Sequence, residues 1–130
     1  VVLYVDDMVD INTTHGHEVG DRILRSVALT LQNALRIFDV IGRWENDSFV
    51  LLVASVNEEG VLRIGERLCR MVANTQMPVP HGQIQVTLSG GCSLATPEDI
   101  PQALIRQAQN RLERSREEGG NRVTGLTTPA

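Results

Sequence analysis

The chain predicts an α+β domain in which helices pack on one face of a mostly antiparallel sheet. Three observations support this. Strand-like and helix-like apolar patterns follow one another in the order β-α-β-β-α-β-α-β. Two apolar runs within about residues 38–54 flank the polar stretch Glu45-Asn46-Asp47-Ser48, which reads as a hairpin with turn formers at its tip. Finally, 130 residues with 42% hydrophobic content suffice for one core and are too few for two, so residues 1–130 are expected to form a single domain.

Taken in order, Val1 to Val5 reads as a buried strand that ends at Asp6-Asp7. Asn12-Thr-Thr-His-Gly16-His17 reads as a polar turn into a long helix whose stripe is Val19, Ile23, Leu24, Val27, Leu31 and Leu35. The hairpin follows. Asn57 caps a second amphipathic helix with Glu58 and Glu59 in its first turn and Val61, Leu62, Ile64, Leu68, Met71 and Val72 on its apolar face. Met77 to Gly82 breaks the chain, Gln83 to Leu88 alternates as a strand, and Ser89-Gly90-Gly91 thins that strand where another backbone approaches. Thr96-Pro97-Glu98-Asp99 opens a third helix carrying Ile100, Leu104, Ile105, Ala108 and Leu112, which stops at Gly119-Gly120. Asn121 to Leu126 adds an edge strand.

A net charge of -4 and a pI near 5.3 argue against a nucleic-acid partner held by a basic surface. All 12 basic residues are Arg, so phosphate contacts fall to guanidinium groups or backbone amides. Cys69 and Cys92 stand far apart among apolar neighbours without metal-ligand spacing, which reads as two buried thiols in a reducing, cytoplasmic compartment. There is no apolar run of membrane-spanning length, so this domain is expected to make no membrane contact. The chain opens inside a strand without an initiating Met, as expected of a piece cut from a longer protein whose sensor or effector domains, and any membrane anchor, lie elsewhere.

Four motifs, in order, carry a family resemblance. They are Asn12-x3-Gly16-His17-x2-Gly20-Asp21, the hairpin Arg43-Trp44-Glu45-Asn46-Asp47-Ser48-Phe49, Thr87-Leu88-Ser89-x-Gly91, and Gly119-x-Asn121-Arg122-Val123. Each is weak alone, but their shared order and separation over nearly the whole chain make the chain resemble the GGDEF family, the diguanylate cyclases. The resemblance implies the palm-like fold of nucleotidyl cyclases. It also implies two carboxylates that hold divalent metal beside the triphosphate of GTP, and a dimer of domains in which a second GTP attacks.

The hairpin departs from the family's pattern: Glu45 and Asn46 stand for its two glycines and Ser48 for its second acid. Counted without gaps, the family's first metal Asp falls on Tyr4, its second Asp on Asp6, and its phosphate-contacting Lys on Val9; a two-residue gap would put the metal Asp on Asp6 instead but disturb the Val5, Met8, Ile11 apolar pattern. The resemblance thus leaves Asp6 and Asp47 as metal candidates, with Mg as cofactor if any binding of GTP remains. Glu45 adds bulk and negative charge where triphosphate would approach the backbone. Arg116 keeps one late-helix phosphate contact and Gly120 has lost another. No catalytic residue is assigned, and a silent domain is expected. Asn12 and Asp21 match the family's guanine-reading pair, although Asn12 also suits a turn and Asp21 the first turns of a helix. His15 and His17 read as loop histidines without metal.

Arg36-Ile37-Phe38-Asp39 resembles the family's Arg-x-x-Asp inhibitory site for cyclic di-GMP. An arginine fork can grip phosphate or guanine while a carboxylate accepts from guanine N1 and N2. Arg67 is placed where the family supplies another Arg, with Arg70 as competitor. The plain alternative is that Arg36 caps a helix end and Asp39 pairs with it. The expectation is a degenerate regulatory domain that binds cyclic di-GMP at Arg36 and Asp39. The alternatives are a weak cyclase using Asp6 and Asp47, and a dimerisation or interaction domain with no nucleotide, for which Trp44 is a contact residue.

Overall fold

The computed structural model describes residues 1–125 apart from 46, 55, 56, 81 and 97. The expectations placed on Asn46, Pro97 and Leu126 lie outside the described residues. The elements run β1 (Val2–Val5), α1 (Met8–His15), α2 (His17–Ala34), β2 (Val40–Arg43), β3 (Ser48–Leu52), α3 (Glu58–Ala73), β4 (Met77–Val79), β5 (Gly82–Ile84), β6 (Leu88–Gly91), α4 (Pro101–Glu117) and β7 (Arg122–Thr124). The strands form a five-stranded sheet, β2-β3-β1-β6-β7, and a separate β4-β5 hairpin. All pairings in the large sheet are antiparallel except β6 with β7.

Alternation along β1 divides the interior into two layers. Leu3 and Val5 point into the larger core with Ile23, Val27, Leu31, Phe49, Leu68 and Val72. Val2 points the other way, against Ala108 and Leu112 of α4, with Tyr4 and Val50 packed beside them. The helices therefore cover both faces of the sheet, where one face was expected. α4 reaches its face because β6 is thinned: a Cβ at Gly91 would collide with the backbone of Ala108 and Leu112.

Several boundaries differ from the pattern reading. Asn12 to His15 are helical, because Met8 and Ile11 bury one face of α1 and the break comes only at Gly16, φ 90°. Met77–Val79 and Gly82–Ile84 pair as a short hairpin where a plain break was expected. The strand expected over 83–88 is two pieces belonging to different sheets, separated where Thr87 turns to bond Asp6 through its carbonyl and hydroxyl. α4 starts at Pro101, which suits a first helical position. Ahead of it Thr96 and Asp99 are clasped together: Asp99 Oδ2 accepts from Thr96 N at 2.7 Å and Thr96 Oγ1 at 3.0 Å. Ile100 is consequently exposed. Asn57 caps α3 as expected, its Oδ1 accepting from Gly60 N at 2.8 Å. On α3, Gly65 and Cys69 are buried, whereas Met71 is exposed. Among the described residues no helix is long and apolar enough to cross a membrane.

Candidate functional site

The C-terminal end of β1 builds a cleft. Tyr4 lies between Ser48 of β3 and Ser89 of β6, Val5 N donates to Asp47 O at 2.9 Å, and Asp6 N donates to Thr87 O at 2.9 Å. Asp7 then adopts a left-handed conformation, φ 62°, which an aspartate tolerates better than most residues and which swings the chain into α1. One wall therefore carries Asp6, Asp7, Val9 and Asp10. The end of α4 supplies the other with Glu113, Arg116, Glu117 and Gly120, around a volume of about 530 Å³.

Asp6 is committed inside this cleft. Its Oδ2 accepts from Thr87 Oγ1 at 2.7 Å and from Asn121 N at 3.1 Å, while Oδ1 accepts from Ser89 Oγ at 2.7 Å. These bonds tie β1 to β6 and to the turn before β7. Gly120 completes the enclosure, since its φ is 73° and a Cβ there would lie 2.9 Å from Asp6 Oδ2. Any side chain at Gly120 would therefore be strained.

The Tyr4 ring lies 4.3 Å beneath the guanidinium carbon of Arg116, which also pairs with Glu113 at 2.8 Å. Burial pushes the Tyr4 phenol up; nearby Arg116 pulls it down, and Asp47, Asp6 and Asp7 push it further up. Ser48 is buried and closes the hairpin tip: its Oγ accepts from Glu45 N at 3.0 Å, and Trp44 N donates to Ser48 O at 3.0 Å. Asp47 stands next to Tyr4 across the sheet, but the second acid needed for a two-carboxylate clamp is a phenol. With Asp6 filled by three donors and Tyr4 under a cation, the donor set does not fit the divalent metal that the family resemblance implies. Among the described residues no group of three or more His, Cys, Asp or Glu side chains could hold a metal ion, His15 and His17 included.

Asn12 lies on α1 and Asp21 near the start of α2, two helices that pack together. Asn12 Oδ1 presses against Gly20, where a Cβ would strike it, and Asp21 follows on the exposed side of α2. Val9, in the place of the family's Lys, is 70% exposed on the same cleft.

A second constellation forms beyond the C-terminal end of α2. Asp39 accepts from Arg36 N at 3.1 Å, Arg36 Nε at 3.2 Å and Ala54 N at 3.1 Å, and Arg36 Nη2 reaches Ala54 O at 2.8 Å. The Arg36 side chain is 53% exposed but that of Asp39 only 2%, so the carboxylate faces its own turn, whereas direct contact with a ligand requires it to face outward. Burial raises the Asp39 carboxyl, yet the hydrogen bonds from Ala54 and Arg36 outweigh it and hold the group below the usual aspartate value. Arg67 Nη2 donates to Ala34 O at 3.1 Å, which brings Arg67 to this corner; Arg70 lines a different cleft with Asn121 and Arg122. Ile37 and Phe38, between Arg36 and Asp39, are 90% and 79% exposed.

Sequence reasoning did not find the Arg116–Tyr4 stack, the three donors to Asp6 or the Ala54 partner. All three depend on residues far apart in the chain or on backbone groups, and no local pattern announces them. Burial raises the Cys69 and Cys92 thiols to about 12 and about 11, in keeping with two inert buried cysteines.

Comparison with known proteins adds three likenesses. The family model described as diguanylate cyclase, GGDEF domain, matches residues 1–122. The chain is 30% identical over 122 residues to diguanylate cyclase DgcZ of Escherichia coli (strain K12), a match covering 94% of this chain and 41% of that protein. It is 33% identical over 128 residues to the response regulator PleD of Caulobacter vibrioides (strain NA1000 / CB15N), covering 96% of this chain and 28% of that one. The chain thus spans less than half the length of either relative. A solved structure of a microbial GGDEF domain, describing its interaction mode with bis-(3,5)-cyclic di-GMP, is similar with a TM-score of 0.78 at 26% identity, covering 95% of this chain and 74% of that chain.

Proposed function

The chain belongs to the GGDEF family of diguanylate cyclase domains, and on that premise we propose that it is a regulatory domain that binds cyclic di-GMP without converting GTP. The observation that carries the reading is Tyr4 in the place of a metal carboxylate, beside an Asp6 whose two oxygens already hold Thr87, Ser89 and Asn121. Cyclisation needs metal to neutralise triphosphate and to lower the pKa of the attacking hydroxyl. Asp47 alone supplies neither.

Ligand recognition is assigned to Arg36, with Arg67 beside it. Both guanidinium groups stand at a corner outside the damaged cleft, and a planar fork suits phosphate or the guanine edge. Asp39 orients Arg36 through its hydrogen bonds, so it acts as a positioning residue in the unliganded domain. The solved GGDEF domain with cyclic di-GMP supports a nucleotide at a domain of this shape.

Calorimetric titration with cyclic di-GMP tests the reading. Saturable binding that weakens at least about tenfold in Arg36→Ala is expected, together with no cyclic product from GTP and Mg²⁺. Magnesium-dependent turnover abolished by Asp47→Asn would establish the weak-cyclase alternative.

A specific observation favours one second reading, an interaction domain that takes no nucleotide. Val40 and Leu52 pair across β2 and β3 and are 57% and 66% exposed, and Trp44 at the end of the same strand is 44% exposed. Such an apolar group suits a contact with a neighbouring domain or a second copy. Absence of binding at saturating cyclic di-GMP would favour it.

A further inference from the structure

We infer that the Arg116 guanidinium, held over the Tyr4 ring, is a resident cation that replaces divalent metal in this cleft, so that the domain takes up neither Mg²⁺ nor Mn²⁺ there. The inference rests on the regulatory reading above and states how the altered site is balanced. The cleft is lined by Asp6, Asp7, Asp10, Glu113 and Glu117, and among the described residues Arg116 is the single basic group lining it. Most of these carboxylates are exposed, and their like charges repel one another unless positive charge is supplied. In metal-dependent sites a divalent ion supplies it. Here the positive charge is covalently part of α4.

Two contacts fix it in place. The Tyr4 ring offers its negative face at 4.3 Å, which an aspartate at that position could not do. Glu113, three residues earlier on the same helix, grips Arg116 Nη1 at 2.8 Å and sets its direction. Asp6 has turned away to Thr87, Ser89 and Asn121, so the carboxylate that a metal would recruit is satisfied by neutral donors. A metal recruiting Asp6 would compete with those bonds and would meet a guanidinium, whose charge repels it.

Three proteins decide the matter: the wild type, Arg116→Gln and Arg116→Lys. Each is titrated calorimetrically with MnCl2, and its unfolding temperature is measured in MnCl2 and in NaCl of equal ionic strength. The wild type is expected to give no saturable heat and the same unfolding temperature in both salts. Arg116→Gln, with its carboxylates unbalanced, is expected to gain a manganese-dependent rise in unfolding temperature, and Arg116→Lys to behave as the wild type. Saturable one-to-one manganese binding by the wild type that Asp47→Asn removes would overturn the inference, even if Arg116→Gln did not fold. An Arg116→Gln protein that folds and responds to manganese no more than the wild type would also overturn it. Incubating the same wild-type sample with GTP separates the two claims: manganese binding without turnover overturns only the resident cation, whereas turnover overturns the regulatory reading as well.

Discussion

Asp39 and Arg36 lock the same turn twice, once through the Arg36 backbone amide at 3.1 Å and once through its Nε at 3.2 Å, with the Asp39 side chain almost fully buried. A pair written as a ligand site is, in the unliganded domain, also the clasp between the end of α2 and the hairpin stem.

That clasp predicts a pH dependence. The folded Asp39 carboxyl lies below the ordinary value of 3.8, since hydrogen bonds from Ala54 and Arg36 outweigh the opposing effect of burial. A depressed folded value means the stabilisation is complete above the unfolded value and is lost as pH falls through the folded one. Asp39→Asn should therefore lower stability by about 1–2 kcal/mol near neutral pH and flatten the acid limb of the profile below about pH 4. Urea unfolding at a series of pH values checks this, and an unchanged acid limb would remove the assigned role.

Asp6 should behave as a structural brace. Asp6→Ala strands the Thr87 hydroxyl and the buried Ser89 hydroxyl, and frees the exposed Asn121 amide. The expected loss is about 2–4 kcal/mol, measured by chemical denaturation. A metal ligand with no structural duty would instead tolerate the change, or gain stability from it.

Restoring the family's guanidinium should fail for steric reasons. Gly120→Arg places a Cβ 2.9 Å from Asp6 Oδ2 at a φ of 73°. Both the left-handed backbone and the contact disfavour it, and a cost of roughly 1–3 kcal/mol is expected. Thermal unfolding reads the effect, and a variant as stable as the parent would mean that the turn relaxes freely.

The thiols should stay silent in the native state. With Cys69 and Cys92 raised to about 12 and about 11, neither is ionised near pH 8, and both are buried. A disulfide-exchange reagent should react with both only after denaturation. Fast native labelling of either would place it nearer to solvent than the fold does.

Much of the fold was legible because it is periodic. The α2 stripe Val19, Ile23, Leu24, Val27 and Leu31 is buried as its spacing requires, Asn57 caps α3, and the hairpin closes around Glu45 to Ser48. These features depend on neighbours within a few residues. The extent of α1 was missed because two buried residues, Met8 and Ile11, are too few to stand out as a stripe. The start of α4 was misplaced because Asp99 serves both as a helix-start signal and as the clasp of a turn with Thr96.

The chain's own residue order was sufficient for most of the elements, the family and the positions of Tyr4, Asp6, Arg36, Asp39 and Arg116. Only the folded molecule decided what those side chains do. Asp6 finds Thr87, Ser89 and Asn121 because β1 pairs with β6 in one register; Arg116 meets Tyr4 because Gly91 lets α4 lie against the sheet. Secondary structure follows from local repetition, whereas hydrogen bonds and charge contacts between distant residues depend on strand register and helix placement, which no short window of sequence contains.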